Sequence, residues 1–548
     1  MTTTPDLSQI CPTTTHAALT RAAFLGPDVE AIVGPGERCT YRRLSERVAV
    51  VRSALHRFGV RHGDHVALCM GNGVRWVEIF LAASSLGAVV VPVNTRFRTE
   101  ELAYVLRQSR ASLLITADVF LRIDFIGMLR AIAPEIDDAA PLESRALPDL
   151  RHVVVVGDDV PAGAESWEAL LANADSSTDT GVNAMASPDD VALIQYTSGT
   201  TSFPKGVLLT HRSMCANGFF SGGRMGLRIG DRFHSARPFF HVAGSSLSIL
   251  ACLQHVATLV TMDRFEAGEA LRLFEVERCT HFSGNDTIAL MIIGHPDVTT
   301  RKLYLRGAWV AASAAVVRQV IDVLGAAECV VGYGLSEASP NVAQSSWWEP
   351  EDVRVSTAMA LEPGVEVSIR RLDTGAPASA NEDGEILVRG WNVMVGYWDK
   401  PEETRAALCD GWLRTGDVGH LDDTGRLVFT GRTKELIRVG GENVAPAEVE
   451  NALHGHPAIV QAVVVGVPDD RLVEVPFAFL RLAEGMELDV DDLRRWCKER
   501  MAGFRIPAHF RVVADFESIG MTASGKVRKT DAALAAHEIL KSAASVAK

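Results

Sequence analysis

The chain has 548 residues, too many for one ordinary hydrophobic core, so at least two domains are expected. Hydrophobic residues at 47% and charged residues at 22% are ordinary for a globular protein, and a formal net charge of −14 argues against nucleic acid as the main partner. Nine cysteines without C-x-x-C spacing argue against a disulfide framework and suit a reducing cytoplasm, with the thiols buried as small apolar groups.

The amino terminus, Met-Thr-Thr-Thr-Pro-Asp, lacks the basic-then-apolar layout of a secretory leader. No run reaches the ~18 apolar residues of a spanning helix, so no integral membrane segment is expected. Val48, Val51 and Leu55 fall at helical spacing within 45–58, and a strand pattern follows at 65–70. A second helical stretch at 74–86 leads to the apolar run 88–93. Alternation of this kind predicts parallel strands with covering helices. The polar stretches 133–151 and 172–190 read as loops. The apolar stretch 245–260, interrupted by Gln254 and His255, reads as a buried core helix.

After the apolar run 191–194 comes Tyr196-Thr-Ser-Gly-Thr-Thr-Ser-Phe-Pro-Lys-Gly206. Small hydroxyl residues and glycine after a strand let backbone N–H groups and hydroxyls converge on phosphate oxygens, and Lys205 adds positive charge. It is not a Walker A loop, because no Gly precedes Lys205 and no Ser or Thr follows it. Further along stand Arg237-Pro-Phe-Phe-His241-Val-Ala-Gly244, Gly284-Asn-Asp-Thr287, Ala311-Ala-Ser-Ala314 and Tyr333-Gly-Leu-Ser-Glu337. Thr415-Gly-Asp417, which alone would be a turn, precedes Gly431-Arg432 by a strand-and-turn interval. A domain boundary is expected near 433, followed by a compact α+β unit with helices at 445–454 and 489–501 and strands at 458–466 and 477–482. That unit holds Gly440-Gly-Glu-Asn-Val-Ala-Pro-Ala-Glu-Val-Glu450 and Thr522-Ala-Ser-Gly-Lys526.

These segments, in this order, resemble the motifs of the adenylate-forming superfamily, which includes acyl- and aryl-CoA synthetases, peptide-synthetase adenylation domains and luciferases. Two departures are conservative: Ser202 replaces a glycine and Ser336 replaces a threonine. The resemblance implies a large N-terminal domain of parallel-rich α/β subdomains, 1–433, and a small mobile α+β domain, 434–548. It assigns Thr197, Ser198, Gly199, Thr200, Thr201 and Lys205 to the triphosphate, and Tyr333 and Ser336 to the adenine side. Glu337 holds Mg²⁺, a hard cation suited to carboxylate oxygen. Asp417 and Arg432 go to the ribose, and Lys434 is the hinge.

By the same resemblance Gly440, Gly441 and Glu442 belong to the loop that helps to form the coenzyme A tunnel. Lys526 is the catalytic lysine, and His241, Asn285, Asp286 and Gly332 lie at the acid pocket. The implied activity joins ATP, a carboxylic acid and coenzyme A: an acyl-adenylate forms first, then a thioester, with AMP and pyrophosphate released. The acid is expected to be fatty, alicyclic or aryl. His241 stands where amino-acid-specific adenylation domains carry aspartate, and 22 residues after Lys526 leave no room for a carrier domain. Both disfavour a peptide-synthetase module. Asn285 and Asp286 have two readings: caps of a helix starting at Ile288, or the lining of a tunnel for a polar or ring-bearing acid. A stand-alone adenylating enzyme and a non-catalytic protein of the same fold are the competing readings, and the retained Lys526, Glu337 and Asp417 oppose the second. A homodimer remains open.

Overall fold

The computed structural model describes residues 6–138, 141–172, 185–197, 204–440, 442–469, 471–522 and 526–546. Among these, the strands of the large domain form sheets of nine, eight, five and two strands. The eight-stranded sheet has the parallel run Val191–Thr197, Val89–Pro92, His65–Cys69, Leu113–Ala117, His152–Val156 and Glu165–Ser166. Lys205–Thr210 and Gly396–Tyr397 close one edge antiparallel. The parallel interior fits the near-continuous apolar runs of these strands, which bury both faces.

The nine-stranded sheet places the parallel strands Glu328–Gly334, Gly307–Ala311, His281–Asn285, Arg232–Ser235, Thr258–Val260 and Glu30–Gly34 side by side, with antiparallel strands at its edges. Helices pack between and around the two sheets. One of them, Tyr41–Phe58, starts where the Thr40 side chain accepts from Arg43 N and stops at Gly59, whose φ of +111° suits glycine. Trp76, Phe80, Phe233, Phe239, Phe274 and Phe282 are fully buried in the shared core, each contributing roughly 1.5–3 kcal/mol by burial.

The stretch 245–260 is not one helix. A π-helical turn Ser245–Leu250 runs into Ala251–His255, and Val256 then turns with φ +55°, so that Thr258–Val260 joins the sheet as a strand. Its β-branched ends, rather than its length, decide the outcome. Within 133–151 a short 3₁₀ turn, Pro134–Asp137, interrupts the expected loop.

After strand Leu427–Arg432, the 3₁₀ turn Thr433–Glu435 separates the small domain. Its long hairpin, Ile459–Asp469 with Val473–Leu482, outruns the expected strands. Helices Pro446–His454 and Val490–Lys498 cover one face through Leu453 and Leu493. The unanticipated helix Lys529–Val546 brings Ala532 and Ala536 against Phe477 and Phe479 on the other. Eight of the nine cysteines are buried, Cys409 is half-buried, and all are free. Among the described residues no helix is long and apolar enough to cross a membrane.

Candidate active site

In an open parallel sheet, ligands bind beyond the carboxyl ends of the strands. The strand order here sets four motifs side by side at that edge. Arg237 and His241 follow strand Arg232–Ser235, and Asn285 and Asp286 stand at the end of its neighbour His281–Asn285. Ala311 and Ser313 follow at the next strand, and Tyr333 to Glu337 at the one after that.

At one end of this edge the polar groups are mutually paired. The buried Tyr333 hydroxyl donates to Asp417 Oδ2 at 2.8 Å, and Arg432 Nε lies 3.1 Å from Asp417 Oδ1. Asp417 and Arg432 are direct cross-strand partners in the hairpin Trp412–Leu421 with Leu427–Arg432, which explains their sequence interval. The Tyr333 ring stacks on Phe429 at 5.4 Å. Burial pushes the Asp417 carboxyl upward, and the Arg432 charge opposes the shift.

Lys205 pairs directly with Thr197 across the antiparallel ladder, and Thr197 Oγ1 donates to Lys205 O at 3.5 Å. Ser198, Gly199, Thr200 and Thr201 lie outside the described residues. Lys205 Nζ sits 4.8 Å from the centre of the Tyr397 ring, and the Tyr397 hydroxyl donates to Glu337 Oε1 at 2.9 Å. Tyr397 thus ties the predicted phosphate lysine to the predicted metal carboxylate. Sequence reading missed it, since it stands in no motif. Ser336 opens the short 3₁₀ turn that carries half-buried Glu337.

At the other end His241 Nδ1 accepts from Ala243 N at 3.2 Å, which leaves Nε2 as the donor on the neutral ring. His241 keeps solvent-accessible surface, yet the protein around the imidazole, with the charges of Arg237 and Lys526, lowers its pKa to about 4. Asn285 caps the helix Asp286–Ile293, its Oδ1 accepting from Ile288 N at 2.9 Å. The capping reading holds for Asn285, and the helix begins two residues earlier than Ile288. Asp286 is half-buried, and burial raises its carboxyl to about 6 while the Lys526 charge pulls the other way. Gly332 is covered by an indole: a Cβ there would meet Trp309 Cζ2 at 2.5 Å. Trp309, also missed in the sequence, fills the space over Gly332.

The small domain completes the cleft. Thr522 N donates to Lys526 O at 2.7 Å and Lys526 N donates to Thr522 Oγ1 at 3.0 Å, which fixes the lysine's backbone. Lys526 keeps solvent-accessible surface, yet the walls of the cleft and the Arg432 charge lower its pKa, with Asp286 opposing. Gln461 Nε2 donates to Thr287 Oγ1 at 3.2 Å, and Arg96 Nη1 donates to Thr522 O at 3.3 Å, docking the domain in this orientation. Lys529 pairs with Glu450 at 3.0 Å and Glu435 at 3.5 Å. Lys434 is exposed in the interdomain turn. Gly440 takes φ +58° at a hairpin tip and donates to Leu472 O within the small domain, and Glu442 is exposed beyond it. Gly441 lies outside the described residues.

Residues 19–398 match the family model described as AMP-binding enzyme, and residues 448–526 match that of the AMP-binding enzyme C-terminal domain. A Rhodococcus jostii 3-[(3aS,4S,7aS)-7a-methyl-1,5-dioxo-octahydro-1H-inden-4-yl]propanoyl:CoA ligase is 36% identical over 528 residues, 94% of this chain and 98% of that one. The mitochondrial medium-chain acyl-CoA ligase of Homo sapiens is 32% identical over 523 residues, covering 92% and 84%. Among solved structures, an anthranilate CoA ligase in complex with anthranoyl-AMP superposes with a TM-score of 0.84 at 25% identity, covering 97% of this chain and 99% of that one.

Proposed function

The chain belongs to the family of AMP-binding enzymes, and from that premise we propose how its residues divide the work. It is an AMP-forming acid–CoA ligase. A carboxylate oxygen of the acid attacks the α-phosphorus of ATP and pyrophosphate leaves. The sulfur of coenzyme A then attacks the acyl carbon, its proton passes to solvent, and AMP leaves with the bonding pair.

Neither step needs a covalent enzyme nucleophile, so the residues act by positioning and electrostatics. Lys205 and the loop before it bind the triphosphate, Asp417 and Arg432 the ribose, and Tyr333 the adenine side. His241 Nε2–H faces the acid. Lys526 offsets the charge that grows at the α-phosphate. Glu337 fits a Mg²⁺ ion by its chemistry: Tyr397 takes one oxygen, and Oε2 has no partner among the described residues. Mg²⁺ keeps waters and phosphate oxygens and needs only one or two carboxylates. When bound, it supplies neutralisation of the phosphate charge.

The observation that carries this division is the docking of the small domain, by Gln461 on Thr287 and Arg96 on Thr522, which brings the Lys526 charge to bear on Asp417, Asp286 and His241 of the large one. That is the arrangement the adenylation half requires. The Gly440 loop, whose contacts stay in its own domain here, would replace Lys526 for the thioester half by rotation at Lys434. The acid we take to be fatty, alicyclic or aryl, in line with the medium-chain and ring-bearing names of the relatives. The free, scattered thiols favour the cytoplasm. The test is an ATP- and CoA-dependent screen of aliphatic, alicyclic and aryl acids, reading AMP release. Acid-dependent AMP is expected, and its absence with every acid would refute the reading.

A further inference from the structure

Arg237 stands four residues before His241 and is 9% exposed. Buried arginines are ordinarily paired with carboxylates or carbonyls, because an uncompensated interior charge is costly. This one is not. Its guanidinium makes no ion pair and no hydrogen bond with any described residue, and Nη1 is sealed from solvent without a partner. Its Cζ lies 4.2 Å from the centre of the Trp309 indole ring.

The backbone holds the group there firmly. Asn72 Nδ2 donates to Arg237 O at 2.9 Å, and Phe239 N donates to Asn72 Oδ1 at 2.8 Å. Ser235, Ser283 and Trp309 form one row across three neighbouring strands, which sets the segment after Ser235 two strands from Trp309. Trp309 is fixed in turn, its Nε1 donating to Gln344 Oε1 at 3.0 Å while its ring covers Gly332. The Arg237 charge also reaches the His241 imidazole, which stands four residues on, and lowers its pKa. Burial lowers the Arg237 pKa to about 9, and no carboxylate among the described residues acts on it.

We propose that Arg237, lying over Trp309 at the inner end of the acid site, is the receptor for a second carboxylate at the far end of the substrate. The activated carboxylate lies by Lys526 and His241, and the distal one pairs with the guanidinium, which presents donors in a fork matched to carboxylate geometry. The acid is then a dicarboxylate on an aliphatic, alicyclic or aryl frame, of which one end becomes the thioester. The inference rests on the acid–CoA ligase reading and adds the chemistry of the acid's distal end.

The experiment compares kcat/KM, by AMP release, for monocarboxylic and dicarboxylic acids of equal length and for the matching keto acids, in the native enzyme and in Arg237→Met and Arg237→Lys. The native enzyme should favour the dicarboxylate by about tenfold or more, and Arg237→Met should cut the dicarboxylate-to-monocarboxylate ratio roughly a hundredfold. Arg237→Lys should restore part of that ratio. The dicarboxylate should raise the melting temperature of the native protein and not that of Arg237→Met, a readout independent of turnover. The proposal is overturned if the monocarboxylate is preferred, if Arg237→Met lowers both classes alike, or if the keto acid equals the dicarboxylate. AMP release with monocarboxylates alone would overturn this proposal and leave the ligase reading standing, whereas no AMP with any acid would remove both.

Discussion

The two ends of the cleft treat buried polarity in opposite ways. Around the proposed ribose position Tyr333, Asp417 and Arg432 satisfy one another within 3.1 Å. At the acid position Arg237 carries an unsatisfied buried cation, and Asp286 and His241 have pKa values moved to about 6 and about 4. A network paired within the protein is preorganised for a ligand that is the same in every turnover. Unpaired groups are costly in the empty site, and the cost is recovered only by a ligand of complementary charge. The difference separates the proposed nucleotide end, paired within the protein, from the proposed acid end, which is not.

The sharpest way to break the comparison is to unpair the nucleotide end. Asp417→Ala strands the buried Tyr333 hydroxyl and takes the partner from the half-exposed Arg432, and an unsatisfied buried group costs about 1–3 kcal/mol. The kcat/KM for ATP should fall about ten- to a hundredfold, with the ranking of acids unchanged in a substrate-competition assay. A reordered ranking would merge the two ends into one.

The pH dependence of the acid end should be of similar size. The folded pKa of Asp286 is raised from 3.8 to about 6, so its contribution to stability is complete below pH 4 and lost as pH rises through 6. Asp286→Asn removes the charge that must be buried. It should stabilise the protein above pH 6 by up to about 3 kcal/mol, less by the water reaching the half-buried carboxyl, and change nothing below pH 4. Thermal melts across that range check the sign. Stabilisation that did not vary with pH would show that the carboxyl is not what titrates.

The smallest effect belongs to the neighbouring position. Asn285→Ala removes a helix cap and should cost about 1 kcal/mol in urea unfolding without altering acid selectivity. A selectivity change would return Asn285 to the acid tunnel.

These residues also mark how far the sequence could be read. The motif order disclosed the family, and the alternation of helical and strand patterns disclosed the parallel sheets. Asp417 and Arg432 were legible as a pair because one hairpin register joins them. Tyr397 was not, since it reaches Glu337 from a short edge strand across 60 residues, and no local pattern encodes that approach. Trp309 read as an ordinary buried strand residue, and Arg237 as the first letter of an aromatic segment. Their meaning lies in what surrounds them. The stretch 245–260 misled because its apolar character is shared by buried helices and buried strands.

The central claim is that Lys526, brought over the cleft by the small domain, serves acyl-adenylate formation and not thioester formation. Its most direct test separates the two halves for Lys526→Ala: pyrophosphate release from acid and ATP, and thioester formation from supplied acyl-adenylate and coenzyme A. The first should fall roughly a hundred- to a thousandfold, the loss typical of one preorganised donor at a developing charge, while the second stays near the native rate. Equal loss in both halves would contradict the account.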